Sequence, residues 1–150
     1  MLIFAAVALG TVALDQVSKA LAVSLLDPGA SVRVVPGVLS FTYTTNTGAA
    51  FGLLRGNSQL IFMAALLVTV LLLAWFFLAG ESLGPWTFVG LALITGGAVG
   101  NLADRLFRGN VVDFLDLGWW PVFNVADAAI VAGVIIVLLS YGRELFRDEP

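Results

Sequence analysis

Three aspartates, Asp113, Asp116 and Asp127, flank an aromatic turn in the stretch "VVDFLDLGWWPVFNVADAAI". The last of them opens a long apolar run, where a carboxylate is costly unless it has a task or a partner. The chain contains no histidine and no cysteine. That excludes imidazole bases, thiol nucleophiles and the usual zinc ligands. Carboxylates, hydroxyls, amides, arginines and a single lysine, Lys19, are left to do any chemistry. Two carboxylates brought together cannot both ionise cheaply, so one keeps a proton near neutral pH. Such a pair places an acid beside a base, which is what activating a water against an amide requires. Asp113, bracketed by Val111, Val112 and Phe114, is set to be desolvated and neutral. Asp116, near Gly118, Trp119 and Trp120, reads as the more exposed of the two. On residue chemistry alone either can be folded back onto Asp127.

Asp127 also has a local reason to exist. Asn124 is a favoured N-cap residue, which puts Asp127 at the third helical position, beside the positive end of the helix dipole. That setting favours the ionised carboxylate, so Asp127 is expected to begin as the base and Asp113 to hold the proton. Further polar residues interrupt apolar runs elsewhere. Asp15 and Lys19 are one helical turn apart and share a face, so they neutralise each other or serve the same site. Asn101, Asp104 and Arg105 close another apolar run, with Asp104 and Arg105 expected in ion pairs. "GGAVG" carries Gly96 and Gly100 at the spacing of close helix packing, and no Lys-Ser or Lys-Thr follows to make a phosphate loop.

The elements that must position these groups are membrane spans. The 150 residues are 60% hydrophobic and 11% charged, with a mean hydropathy of +1.03. Soluble domains carry about twice that share of charge. The net charge of −3 lacks the basic footprint that nucleic acid requires. A span needs about 20 mostly apolar residues, and four segments qualify: 2–26, 60–79, 86–107 and 125–142. The first has no basic residues ahead of it and no small-residue cleavage site, so it reads as a retained span rather than a signal peptide. Between spans one and two, "SVRVV" and "LSFTYTT" alternate and are β-branched, with Pro36-Gly37 between them. They predict a small sheet on the membrane surface, within residues 30–57. The link between spans three and four is expected to be an aromatic loop at the headgroup level. The resulting fold class is an all-α membrane protein of four transmembrane helices, with a small β-sheet and loop on one surface, as a single domain over 1–150. Antiparallel spans bring Asp15, Lys19, Asn101, Asp104, Arg105, Asn124 and Asp127 to one end, with Asp113 and Asp116 above them. Arg143 and Arg147 favour a cytoplasmic tail, whereas Arg33, Arg55, Arg105 and Arg108 lie toward the opposite side, so a plain charge count inverts the chain.

The motifs "DQVSK", "NTGAAFG", "GGAVGNLADR", "VVDF" and "FNVADAAI" occur in the order and spacing of one family. In these the chain resembles the bacterial lipoprotein signal peptidases, or signal peptidase II. The resemblance implies a metal-free, cofactor-free aspartyl endopeptidase of the bacterial cytoplasmic membrane, with its site toward the extracytoplasmic face. It implies removal of the signal peptide from a diacylglyceryl-modified prolipoprotein, just before the lipidated cysteine, by a chain acting as a monomer among membrane lipids. It places the catalytic pair on Asp113 and Asp127, choosing Asp113 over Asp116. Substrate-contacting or supporting roles fall on Asp15, Lys19, Asn46, Gly48, Asn101, Asp104, Arg105 and Asn124. Globomycin-type inhibitors are implied as ligands. In "TNTGAAFGLLRG", Gly48, Gly52 and Gly56 near Phe51, Leu53 and Leu54 suggest a lid over the site. The non-enzyme alternative is a small channel or transporter with the polar cluster on its ion path. It would need polar residues along the whole pore, and span two offers only Thr69. A serine–lysine protease would use Lys19 as its base, and a metal-dependent phosphotransferase would use Asp113, Asp116 and Asp127 as oxygen ligands.

Overall fold

The structure, a computed structural model, describes residues 1–46, 58–79 and 83–145. Gly48 and the expected lid therefore lie outside the described residues. Four helices dominate: α1 (Leu2–Leu25), α2 (Ser58–Ala79), α3 (Pro85–Phe107) and α4 (Val125–Leu145). Their ends match the apolar runs to within about three residues. Two of them, α1 and α3, are long and apolar enough to cross a membrane among the described residues. Apolar stretches 63–78 of α2 and 125–140 of α4 are shorter.

Helix α3 is the central helix, packed against α1, α2 and α4. Glycines allow that closeness. A Cβ on Gly96 would lie 2.7 Å from the Ala8 carbonyl oxygen of α1. One on Gly97 would lie 2.4 Å from the Ala126 carbonyl oxygen of α4, and one on Gly90 would lie 2.8 Å from that of Gly133. The small-residue spacing is thus a packing device between helix backbones. At the far end of the bundle Phe4, Phe76, Leu91 and Ala92 form a buried apolar cluster, with Phe88 and Val137 packed on it.

A three-stranded antiparallel sheet, in the order β1 (Ser31–Val35), β2 (Leu39–Asn46), β3 (Val111–Asp116), sits at the other end. Strands β1 and β2 fall on the two alternating segments, turning through Gly37 at φ 73°. Strand β3 corrects the expected aromatic loop: Asp113 stands on a strand, opposite Thr44, with Val111 opposite Asn46. The helical description of the fold therefore needs a sheet that includes the link between α3 and α4.

Candidate active site

Strand β3 and helix α4 are joined by a turn that folds back on itself. Gly118 takes φ 78°, and its N–H donates to Asp116 Oδ1 at 2.8 Å. Phe123 then bridges to Leu115, with its carbonyl accepting from the N–H groups of Phe114 and Leu115 at 2.9 and 2.8 Å. This closure brings Asn124 beside Asp113. The Asn124 side-chain amide donates to Asp113 Oδ1 at 2.7 Å, while its Oδ1 accepts the Asp127 N–H at 2.9 Å. Asp127 Oδ2 returns to the Asn124 N–H at 3.3 Å. The expected N-cap is therefore present as a reciprocal capping pair, and the same asparagine links both aspartates.

Asp116 points elsewhere. Asp113 and Asp116 differ by an odd number of positions, so a strand turns them to opposite faces. Asp116 Oδ2 accepts from Thr42 Oγ1 at 2.7 Å, on the sheet and away from α4. Asp113 is 2% exposed. Burial, and after it the charge of Asp127, push its carboxyl up to about 6, against the pull of hydrogen bonds from Asn46 and Asn124. Asn46, at the end of β2, is thus placed beside Asp113.

Beneath the two aspartates lies a closed polar layer. Lys19 is wholly buried and donates to Asp15 Oδ2 and Asp104 Oδ2, each at 2.9 Å, and to Asn101 Oδ1 at 2.9 Å. Asn101 Nδ2 donates to Asp127 Oδ1 at 2.8 Å. Asp15 Oδ1 accepts the Ala126 N–H at 2.9 Å, so a carboxylate of α1 caps the first turn of α4 from another helix. Asp104 Oδ2 also accepts the Val112 N–H at 3.1 Å, anchoring β3. Gly100 leaves room for this: a Cβ there would lie 2.6 Å from Asp15 Oδ2.

The expected ion pairs of Asp104 and Arg105 divide differently. Asp104 pairs with Lys19 and with Arg108. Arg105 donates to the Asn101 carbonyl, one turn back on its own helix, at 3.1 Å. Its charge acts on Asp127 and Asp113 without an ion pair among the described residues. Two residues outside the expected set complete the layer. Gln16 Nε2 donates to Asp15, Asp104 and the Gly100 carbonyl, each at 3.1 Å, and Gln16 Oε1 accepts from Arg108 at 2.8 Å. The sequence signal for Gln16 is its place in "DQVSK", a polar residue at the middle of an apolar helix. Arg108 carries only the signal of a cation just past a helix end.

Asp127 opens onto an apolar groove. A cavity of about 460 Å³ is lined by Asp127, Leu117, Trp119, Trp120, Phe123 and residues along α4 as far as Ile135. It places one carboxylate at the mouth of a channel that runs down a helix flank.

The model of the signal peptidase II family matches residues 7–142. The chain is 48% identical over 138 residues to the lipoprotein signal peptidase of Syntrophomonas wolfei, covering 92% of this chain and 91% of that protein. It is 43% identical over 139 residues to that of Mycobacterium avium, covering 89% of this chain and 75% of that protein. A solved bacterial membrane enzyme, determined in meso at 2.3 Å resolution, superposes with a TM-score of 0.88 at 29% identity, over 97% of this chain and 91% of that one. Another, at 1.9 Å, superposes with a TM-score of 0.83 at 30% identity, over 97% and 94%.

Proposed function

The chain belongs to the signal peptidase II family and is a peptidase, and we propose that Asp113 and Asp127 are its catalytic pair. The observation that carries this is the single Asn124 side chain joined to both: 2.7 Å to the carboxylate of Asp113 and 2.9 Å from the N–H of Asp127. A water held between the two carboxyls gives a proton to ionised Asp127 as its oxygen attacks the scissile carbonyl. Protonated Asp113 donates to the carbonyl oxygen as the tetrahedral diol forms. Collapse of the diol breaks the C–N bond, and the proton on Asp127 passes to the leaving amine. The acid returns to Asp113 from the diol hydroxyl. Burial and the charge of Asp127 raise the Asp113 carboxyl to about 6, and substrate covering the site removes further water and favours the neutral form more strongly.

The substrate is a lipid-modified prolipoprotein, cut before its lipidated cysteine. The groove lined by Trp119, Trp120, Phe123 and α4 supports this, since it offers apolar surface beside Asp127 to an apolar substrate segment. Globomycin-type inhibitors are ligands of such a peptidase. All of 1–150 forms one membrane domain of four spans. The outward-facing Leu2, Leu9, Leu67, Leu71, Phe77, Leu78 and Leu138, each more than half exposed, supply the lipid-facing surface such a domain needs. The sheet and the aspartates face the extracytoplasmic side of the inner membrane, with the C-terminal end of α4 toward the cytoplasm. Asn46, Asn101 and Asn124 orient the pair, while Asp15, Lys19, Asp104 and Arg105 support it.

The rival uses of these residues lack support. All three N–H groups of Lys19 are taken by acceptors, and Ser18 Oγ donates to the Asp15 carbonyl, so no serine–lysine pair is set up there. Thr69, the polar residue of α2, closes on the Ala65 carbonyl of its own helix at 2.7 Å and lines no ion path. The test is to incubate the purified chain with a lipidated prolipoprotein and look for the released signal peptide. Release by wild type, and none by Asp113→Asn or Asp127→Asn, is expected. Turnover near wild type in either variant overturns the assignment.

A further inference from the structure

Lys19 is joined to Asp127 through Asn101, and it is among the most enclosed of the described side chains, at 0% exposure. An ammonium has three donors and no acceptor. Here the three are spent on Asp15, Asp104 and Asn101 Oδ1, all at 2.9 Å. The last of these contacts decides more than its own energy. Because Lys19 can only donate, Asn101 must turn its carbonyl oxygen toward it. Its NH2 must then face the opposite way, onto Asp127 Oδ1 at 2.8 Å. The reverse orientation would set amide N–H against ammonium and amide oxygen against carboxylate. Asn124 Nδ2 adds a second donor to Asn101 Oδ1 at 3.1 Å, which enforces the same orientation. The oxygens of Asp127 thus meet the Asn101 amide on one side and the Asn124 N–H on the other. Both of these groups donate, which suits an acceptor-only carboxylate.

We propose that Lys19 is a positioning residue for the reaction: by fixing the direction of the Asn101 amide it makes Asp127 the acceptor, and so leaves the shared proton on Asp113. This rests on the reading of Asp113 and Asp127 as the catalytic pair. The charged groups around Asp127 are Asp113 from β3, Arg105 from α3, and Lys19 and Asp15 from α1. Around Lys19 they are Asp15 and Asp104, with Arg108 beyond Asp104. Helix α2 carries no charged residue. Asp15, Asp104, Lys19 and Arg108 are neutral as a set, so the effect of Lys19 on Asp127 passes through the direction of the amide as well as through its charge.

Asn101→Asp separates this role from simple support of the fold. It keeps an oxygen for Lys19 and replaces the donor facing Asp127 with a second carboxylate oxygen, at nearly constant volume. The measurement is the pH dependence of kcat and kcat/KM on a lipidated prolipopeptide in detergent micelles, for wild type, Asn101→Asp and Lys19→Met. In both variants the acid limb of kcat/KM should move to higher pH by about one unit or more, with KM changed less than about twofold because no substrate contact is lost. Lys19→Met leaves Asp15 and Asp104 buried without their cation, so if it does not fold, Asn101→Asp decides alone. A variant that folds and loses kcat equally at every pH, with the acid limb in place, overturns the proposal and leaves Lys19 with a structural role. Asp127→Asn in the same assay keeps the two readings apart. If it retains turnover, the catalytic pair is wrong. If it is inactive while the limb of Asn101→Asp stays put, only the role of Lys19 falls.

Discussion

At one end of the bundle Phe4 stacks on Phe76 with ring centroids 3.8 Å apart, and Phe88 meets both edge-on or tilted at 5.7 and 5.0 Å. At the other end Asp15, Lys19, Asn101 and Asp104 are joined by hydrogen bonds and ion pairs. Both ends are buried, and both are closed by glycine contacts between α3 and its neighbours. They differ in how many arrangements satisfy them. Aromatic and aliphatic side chains pack in several ways at similar free energy, so such a core tolerates exchange of shape. A buried polar layer has one arrangement in which every donor finds an acceptor, and removing a single partner leaves a charge or amide stranded. The chain keeps its only lysine, together with Asp15, Asp104 and Asp127 of its helices, at the end where a fixed arrangement is needed.

The largest effect that would sharpen this contrast lies in the dyad. Asp113→Asn and Asp127→Asn should each lower kcat by about 10³-fold or more, the scale of a lost general acid or base, while the protein stays folded in micelles by circular dichroism. Paired glycine substitutions come next, because they apply one perturbation to both ends. Gly97→Ala presses on the Ala126 carbonyl in the first turn of α4, and Gly90→Ala presses on Gly133 near the aromatic end. Each should destabilise by about 1–3 kcal/mol through overpacking. Only Gly97→Ala should also cut kcat, by about tenfold or more, since it displaces the turn that holds Asp127. Equal losses of activity in the two variants would break the contrast.

A smaller effect concerns stability and pH. The folded chain holds the Asp113 carboxyl at about 6, raised from 3.8. Between those values the folded state binds more protons than the unfolded state, so stability falls as pH rises through that window. The difference corresponds to roughly 3 kcal/mol at most. Asp113→Asn should therefore be more stable than wild type above pH 6 and equal to it below pH 4, measured as Tm in micelles at each pH. A Tm gain that is the same at all pH values would point to packing rather than proton binding. The smallest effects are expected where neither end is engaged in a unique arrangement. Asp116→Asn should keep kcat/KM within about threefold, and Phe88→Leu should cost less than about 1.5 kcal/mol.

Much of this was legible in the sequence, and the gaps have physical causes. Helix limits could be read because each helix is a long apolar run bounded by polar or turn-forming residues. Strands β1 and β2 could be read because they alternate and are separated by a turn. Strand β3 was missed because Val111, Val112, Phe114 and Leu115 are apolar on both faces, which removes the two-residue period. Its partner, moreover, lies far away in the chain. The capping pair of Asn124 and Asp127 is local, so it was visible. The cap that Asp15 supplies to Ala126 spans 111 residues and leaves no mark in either segment. Arg105 was expected in an ion pair beside Asp104, but adjacent helix positions point about 100° apart. Arg108, one turn on, takes that place instead.

The lysine at the centre of the polar layer also has a history before the fold exists. Lys19 and Asp15 leave the ribosome in α1, and Asn101 follows 82 residues later. At about 5–20 residues per second, about 4–16 seconds pass between synthesis of Lys19 and synthesis of Asn101. During that interval the one-turn spacing of Asp15 and Lys19 lets each neutralise the other, so the helix can enter lipid as a nearly neutral segment. The same contact that completes the finished layer is thus the chaperone of its own half-built state. A chain carrying Asp15 without Lys19 would meet its difficulty in biogenesis, before any substrate arrived.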